Sequence, residues 1–160
     1  MRVEEKLGEM GLVLPAPPKV PQGVRLPFAW ARVRGDRAYV SGHGPLGADG
    51  SLSGPFGKVG ADVSPEEGYK AARMAALSVL SSLKRELGDL DRVSAWLIVH
   101  GLVNAAPDFG GTAGVMNGFS DLILELYGPE AGMHARTAPG VSTLPLNQSV
   151  FVSAEVEVRP

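Results

Sequence analysis

The chain contains no cysteine among its 160 residues, few aromatic residues and no marked excess of charge of either sign. The absence of cysteine excludes thiol nucleophiles, thiolate metal sites, redox couples and disulfides. Fifteen Lys and Arg residues against 17 Asp and Glu residues give a net charge of −2. That balance argues against a protein that binds nucleic-acid phosphates or an acidic membrane surface.

Long apolar runs are also absent. No segment approaches the roughly 18 consecutive apolar residues of a membrane span. The first residues, Met-Arg-Val-Glu-Glu-Lys, lack the apolar stretch of a secretory signal. We therefore expect a cytoplasmic protein without a membrane partner.

Glycine and proline, by contrast, are abundant, with 21 and 13 residues. The length predicts a single domain, 1–160. Within it, residues 1–26 form an N-terminal extension, which consists of a short helix over 1–11 and an extended proline-rich connector. Residues 27–158 form the core.

Residue patterns predict the first elements of that core. Two strand-like runs, 28–33 and 37–41, flank a turn, as in a β-hairpin. A helix over 64–87 begins with an N-cap serine, a proline and a capping-box glutamate, and it ends at Gly88. Its apolar stripe is rich in alanine, which permits close packing on a sheet. The stripe consists of Tyr69, Ala72, Ala76, Leu80, Leu83 and Leu87.

The second half alternates strands with one more helix. The apolar run 93–103 predicts a strand covered on both faces, and apolar spacing over 115–127 predicts a helix that ends at Gly128-Pro129. Residues 134–141 suggest a short strand, and 149–158 alternate apolar and polar residues as a half-buried strand does. The order β-β-α-β-α-β-β predicts an α+β fold, one mixed sheet with two helices packed on one face.

Several common catalytic motifs are missing. His43, His100 and His134 are scattered without metal-ligand spacing, and no Gly-x-Ser-x-Gly motif is present. The segment Gly42-His43-Gly44-Pro45 lacks the Gly-Lys-Ser/Thr of a phosphate loop and is best interpreted as a turn. We expect neither a metal nor a cofactor.

Arg136 is the most informative charged residue. It lies between the Gly128-Pro129 stop and the apolar final strand, an unusual place for a solvated charge. It either forms an ion pair at the sheet edge or binds a planar carboxylate, whose two oxygens match two parallel guanidinium N–H groups. Residue chemistry alone leaves both interpretations open.

Five segments, in order, resemble the RidA family, also called YjgF/YER057c/UK114 or endoribonuclease L-PSP-like. They are Pro27-Phe28-Ala29-Trp30, Ser41-Gly42-His43-Gly44-Pro45, Val103-Asn104 with Asp108-Phe109, Val115-Met116-Asn117, and Ala135-Arg136-Thr137-Ala138 with Leu144-Pro145. The resemblance runs from about residue 27 to 158. Residues 1–26 and the glycine-rich stretch 46–61 resemble additions of a longer branch of the family.

The resemblance implies a chorismate-mutase-like fold and a homotrimer with a cleft at each subunit interface. It implies hydrolysis of reactive enamines and imines, such as 2-aminoacrylate, to a 2-oxo acid and ammonia. In that cleft Arg136 binds the substrate carboxylate and Asn117 supports the wall. The remaining substrate-binding residues that the resemblance implies are Phe28, Trp30, Ser41, Gly42 and His43.

The sequence also departs from the family pattern. Phe28 replaces a tyrosine and His43 replaces a glutamine. With one extra residue allowed in the connection after Leu144-Pro145, Ser153 occupies the position of a glutamate that orients or activates the attacking water. A serine hydroxyl can hold a water but is not a base at pH 7.

We therefore predict that another residue handles the proton. His134 lies on the same strand face as Arg136, since side chains alternate along a strand, and an ordinary histidine pKa near 6.5 suits a base at neutral pH. Glu155 is the other candidate, about 6.6 Å along the strand from Ser153. The alternative is a non-catalytic protein of the same fold that binds a small carboxylate such as a keto acid. The charge balance disfavours ribonuclease activity.

Overall fold

The computed structural model describes residues 2–160; residue 1, part of the predicted 1–11 helix and 1–160 domain, lies outside the described residues. Three α-helices and six strands follow in the order α1 Val3–Glu9, β1 Ala31–Arg34, β2 Arg37–His43, α2 Pro65–Leu87, β3 Val93–Asn104, α3 Thr112–Ala131, β4 Ala135–Thr137, β5 Gly140–Val141 and β6 Val150–Val158. Short 3₁₀ turns lie at Leu90–Arg92 and Pro145–Asn147. No helix within residues 2–160 has the length and apolarity needed to cross a bilayer.

All six strands belong to one mixed sheet. Its order is β1-β2-β6-β3-β4, with β5 also beside β3. The pairs β1-β2, β2-β6 and β6-β3 are antiparallel, whereas β4 and β5 run parallel to β3 after the α3 crossover. Helices α2 and α3 pack on one face, and their apolar side chains form the core with those of the sheet. The predicted α+β layer is confirmed.

Local chemistry explains the limits of α2. The Ser64 Oγ accepts a hydrogen bond from the Glu67 backbone N–H at 3.1 Å, and a Glu67 carboxylate oxygen accepts one from the Ser64 N–H at 3.2 Å. Gly88 ends the helix in the left-handed conformation, at φ 82°. Both predicted boundaries are therefore correct, because each rests on a local cap.

The second long helix differs from its predicted limits. Gly128 breaks it with φ 79° and ψ 175°, as the Gly-Pro pair predicts, but one further turn continues to Ala131. The predicted strand over 134–141 is two short strands separated by Ala138 and Pro139. Because Pro139 has no N–H to donate to the ladder, its carbonyl alone contributes, accepting from the Val103 N–H at 3.1 Å.

The apolar strand β3 is not covered on both faces of the isolated chain, so that prediction is wrong. Helices α2 and α3 cover only the face that carries Val99 and Val103. On the opposite face, here called the open face, Leu102 lies opposite Phe151 and the exposed His100 lies opposite Ser153. The apolar residues of this open face are only half-buried.

The proline-rich connector is fastened to the body of the protein. The Ala16 N–H donates to the Ala48 carbonyl at 2.9 Å, and the Lys19 N–H donates to the Gly50 carbonyl at 3.0 Å. Gly50 has φ 86°, and a Cβ there would lie 2.1 Å from the Pro17 carbonyl oxygen. The crossing of these two segments therefore requires glycine at position 50.

The contact between α2 and α3 generates a test of this packing. A Cβ at Gly118 would lie 2.0 Å from the Tyr69 carbonyl oxygen, so Gly118→Ala must push the helices apart. We expect a loss of about 1–3 kcal/mol in the free energy of unfolding, measured by urea denaturation. Gly114→Ala is the matched control, because it lies on the same helix with no atom within 4 Å of the added Cβ. It should be neutral or stabilise by up to about 1 kcal/mol.

Candidate functional site

A cavity of about 610 Å³, here called the β2 cavity, lies at the end of β2. Its walls come from residues 18–26 of the connector, from the end of β2 and from residues 145–151. Five of the residues implicated by the sequence line it. They are Phe28, Trp30, Ser41, Gly42 and His43.

Aromatic rings shape one wall of this cavity. Phe28 and Trp30 meet edge to face with ring centroids 5.1 Å apart, and Trp30 lies 5.1 Å from the His43 ring. A Cβ at Gly42 would lie 2.0 Å from the Phe151 ring. Glycine at this position therefore allows an aromatic ring to close over the backbone of β2.

His43 is buried and held by two hydrogen bonds. Its Nδ1 lies 2.5 Å from the Ser41 carbonyl, which can only accept, so Nδ1 carries the proton. Its Nε2 accepts from the Ser82 hydroxyl at 2.7 Å, and that hydroxyl accepts from Arg85 at 2.8 Å. The pKa of His43 is lowered to about 4, mainly because the ring is buried; the hydrogen bond to the Ser41 carbonyl opposes this effect and the Arg85 charge adds to it. His43 is therefore a neutral part of the wall.

Arg136 belongs to a second cluster, at the β4 edge of the sheet. Its Nη1 donates to the Asn117 Oδ1 at 2.9 Å and to the Ser120 Oγ at 3.1 Å, and its Nη2 donates to the Ala113 carbonyl at 3.4 Å. None of the ion pairs in the described part of the chain involves Arg136. Three neutral acceptors on α3 thus hold a half-exposed guanidinium whose charge has no carboxylate partner there.

His134 is joined to the same cluster through Ser120. Its Nε2 accepts from the Ser120 hydroxyl at 2.8 Å, and its Nδ1 donates to the Gly132 carbonyl at 2.8 Å. Burial lowers the pKa of His134, the Gly132 carbonyl opposes this, and the Arg136 charge lowers the pKa further. Both ring nitrogens are occupied, so neither contacts a ligand in this arrangement.

The final strand carries the other two candidates. Ser153 and Glu155 lie on the open face, and Ser153 is two residues from Phe151 of the cavity wall. The Glu155 carboxylate accepts from Arg37 Nη1 at 2.8 Å in an ion pair. Arg37 therefore already neutralises the Glu155 charge.

Within one chain, the residues that line the cavity and the Arg136 cluster do not come together. Strands β2 and β4 are separated by β6 and β3, three inter-strand spacings or about 14 Å. Arg136 also faces α3, whereas Phe151 of the cavity wall lies on the open face. A small ligand in the cavity therefore cannot contact the Arg136 of the same chain.

Sequence reasoning missed three contributors to these sites. Ser120 lies three residues after Asn117, and this helical spacing puts both on one face toward Arg136. Ser82 lies three residues before Arg85, with the same consequence for His43. The cavity roof, residues 18–26, contains apolar residues between its prolines, which is the one sequence feature that indicates packing there.

Across residues 2–160 no three His, Asp or Glu side chains converge closely enough to hold a metal ion. The strand order and the two helices on one face define the chain as an α+β protein of the chorismate-mutase-like class. A family model described as "YjgF/chorismate mutase-like, putative endoribonuclease" matches residues 22–158. The chain therefore belongs to this YjgF/RidA family.

Several relatives are similar over nearly the whole chain. Protein TCP17 of Trypanosoma cruzi is 40% identical over 143 residues, which cover 86% of this chain and 89% of that protein. The crystal structure of Atu1372 from Agrobacterium tumefaciens has a TM-score of 0.85 at 34% identity and covers 98% of this chain and 91% of that one. An endoribonuclease-like structure from Shewanella oneidensis has a TM-score of 0.85 at 29% identity and covers 99% of this chain and 100% of that one. Because these two structural matches leave only a few residues out, they include the N-terminal extension.

More distant structures share the fold alone. E. coli TdcF with bound serine has a TM-score of 0.60 at 15% identity, covering 92% of this chain and 96% of that one. RidA from an Antarctic Psychrobacter has a TM-score of 0.57 at 16% identity, covering 89% and 94%.

The environment of His43 predicts a pH dependence of stability. Because folding lowers its pKa from 6.5 to about 4, protonation favours the unfolded chain. The contribution of neutral His43 to the free energy of unfolding is then fully present above pH 6.5. It falls as the pH approaches 4, by up to about 3 kcal/mol. Urea denaturation at pH 7.0 and 4.5 measures this loss. His43→Gln should reduce the difference between the two pH values, whereas His100→Gln, at an exposed position, should retain it; equal losses in all three proteins contradict the prediction.

Proposed function

We propose that this protein is a RidA-like enamine and imine deaminase that works as a homotrimer. Its site forms where Arg136 of one copy meets the β2 cavity of another. The observation that carries the proposal is the state of the Arg136 guanidinium. Neutral acceptors fix it in place, and no carboxylate of the described residues forms an ion pair with it. The half-exposed apolar side chains of the open face supply a surface for the other copies.

The remaining donors of Arg136 suit a carboxylate. A guanidinium has five N–H groups, and the contacts with Asn117, Ser120 and Ala113 use three of them. The Nε–H and one Nη2–H remain for a ligand, and with Ala113 taking the Nη2–H nearer Nη1 these two are the parallel pair that binds both oxygens of a carboxylate. That E. coli TdcF was solved with bound serine, which has such a carboxylate, is consistent with this ligand class.

The reaction needs little more than orientation and a water. An enamine first becomes its imine by gaining a proton on carbon and losing one from nitrogen. The water oxygen then bonds to the imine carbon, the nitrogen takes up the water's protons, and the carbon–nitrogen bond breaks to release ammonia and a 2-oxo acid. Fixing the carboxylate and the water in one cleft makes this attack effectively unimolecular.

The candidates for handling the proton differ in which existing contact each must lose before it can act. In this proposal Ser153 holds the water through its hydroxyl, because nothing in its position supplies a base. His134 acts as a base when Ser120 releases its Nε2. Glu155 acts when Arg37 releases its carboxylate. The substrate's own nitrogen is the final proton acceptor in each case.

The second candidate function is binding of a small carboxylate without turnover. The engagement of His134 by Ser120 and of Glu155 by Arg37 favours it, since both candidate bases already have partners. In this alternative the Arg136 site and the trimer are the same, and a keto acid is the ligand. Turnover separates the two functions.

The first test replaces Arg136 with alanine. We expect the wild-type protein to accelerate 2-oxo acid formation from freshly generated 2-aminoacrylate and related imines. Arg136→Ala should lower this rate at least about 100-fold, because the carboxylate loses both hydrogen bonds and its counter-charge. Arg34→Ala, which removes an exposed guanidinium at the hairpin end, is the matched control and should leave the rate unchanged.

The outcomes separate the two functions. Wild-type turnover that Arg136→Ala abolishes supports the deaminase. Absence of turnover, together with keto-acid protection against thermal unfolding that only Arg136→Ala removes, supports binding alone. Neither turnover nor Arg136-dependent binding contradicts both.

The second test restores the carboxylate that the family resemblance expects at the last strand. Ser153→Glu should raise the deaminase rate at least about tenfold, because a carboxylate beside the bound water can accept its proton. The introduced carboxylate should also shift the pH profile of the rate toward the pKa of a carboxylic acid. The same glutamate substitution at Ser51, a half-buried loop position that does not line the β2 cavity, is the control. A rate and pH profile unchanged by Ser153→Glu contradict the placement of Ser153 beside the water.

A further inference from the structure

We propose that the β2 cavity binds a large apolar side chain of the substrate. The preferred substrates are then 2-imino acids with an aromatic or branched side chain, rather than the three-carbon imine that forms from 2-aminoacrylate. This inference rests on the proposed function, since it assigns the part of the ligand that lies beyond the carboxylate.

The cavity walls are mostly apolar. The connector contributes a roof, and the glycine-rich loop and the 145–151 segment contribute the remaining walls. Their apolar side chains are Val20, Val24, Leu26, Leu46, Leu52 and Leu146. Together with the rings of Phe28, Trp30 and Phe151, they provide the surface that an aromatic or branched hydrocarbon requires.

The polar side chains that line the cavity already have partners. The Ser41 hydroxyl donates to the Ala29 carbonyl at 2.7 Å, and the Gln148 Nε2 donates to the Pro145 carbonyl at 2.9 Å. The Lys19 ammonium is paired with Asp49 at 3.0 Å. His43 is neutral, with both nitrogens bonded. Among the described lining residues, no ionic group is therefore free to bind a charged side chain of the substrate.

The volume of the cavity also exceeds what a three-carbon acid fills. About 610 Å³ lies within the range of pockets that hold drug-sized ligands. A methyl group would leave most of this space to water against apolar walls, whereas a benzyl or isobutyl group displaces that water. Selection for a larger side chain follows from this difference.

The segment that leads into the roof is anchored to the body of the protein. Backbone hydrogen bonds of Ala16 and Lys19 hold the connector on the glycine-rich loop, and the Ser81 hydroxyl donates to the Pro15 carbonyl at 2.5 Å. This anchoring lowers the cost of ordering the roof around a ligand. The N-terminal extension thus acts as a specificity-determining wall.

The test compares stable 2-oxo acids as carbonyl analogues of the imines. Isothermal titration calorimetry gives dissociation constants for pyruvate, 4-methyl-2-oxopentanoate and phenylpyruvate with the full chain. We expect phenylpyruvate and 4-methyl-2-oxopentanoate to bind at least about tenfold more tightly than pyruvate, because each methylene buried in an apolar pocket contributes strongly.

A matched pair of variants tests the position of the side chain. Val24→Trp fills the cavity from its roof, and it should reduce the phenylpyruvate-to-pyruvate preference to near unity. Val13→Trp is the control: Val13 belongs to the same connector and is 70% exposed, so the preference should remain. Leu52→Trp fills the cavity from the opposite wall and repeats the test should Val24→Trp fail to fold, as judged by circular dichroism.

The results distinguish this inference from the proposed function. A preference for large side chains that disappears on filling the cavity, with all binding abolished by Arg136→Ala, supports both. Arg136-dependent binding in which pyruvate is equal to or tighter than phenylpyruvate, or a preference that both cavity variants retain, overturns the inference and leaves the proposed function standing. No binding of any of the three acids overturns this inference, and only together with absent turnover of the imines does it overturn the proposed function as well.

Discussion

The guanidinium of Arg136 is held by neutral acceptors alone, and the proposed function depends on this arrangement. Asn117, Ser120 and the Ala113 carbonyl fix its position without cancelling its charge. A carboxylate partner from the same chain would have neutralised that charge. The β4 edge and α3 therefore leave a positive group with the Nε–H and one Nη2–H unused by these contacts, and a carboxylate is the proposed ligand of those donors.

The same design of contacts occurs twice in the molecule. In each case an arginine donates to a serine, the serine donates to a histidine Nε2, and the histidine Nδ1 donates to the carbonyl two residues before it. At Arg136 the serine is Ser120 and the histidine is His134; at the cavity the chain of contacts runs from Arg85 through Ser82 to His43. Both histidines have a lowered pKa, so both arrangements favour neutral imidazoles that orient their neighbours.

The two halves of the proposed site lie on different faces of one sheet and toward opposite sides of it. Three inter-strand spacings separate them, and a small ligand cannot span that distance. Assembly with a second copy, which the half-exposed open face allows, is therefore part of the proposed function rather than an addition to it. The N-terminal connector completes the half of the site that the β2 cavity forms. The match of Atu1372 over 98% of the chain shows that a structural relative shares this extension.

Local chemistry in the sequence determined the secondary structure that depends on it. The Ser64 cap, the Gly88 stop and the alternation of the last strand were each predicted from neighbouring residues, because caps, turns and strand faces are short-range properties. The sequence also predicted Arg136 and five lining residues of the β2 cavity as site residues through motif resemblance. Only the tertiary structure decided which of them lie together, that one face of β3 is open, and that Ser120 orients the guanidinium. These properties depend on contacts between residues far apart in the chain, and the local pattern of side chains does not encode such distances.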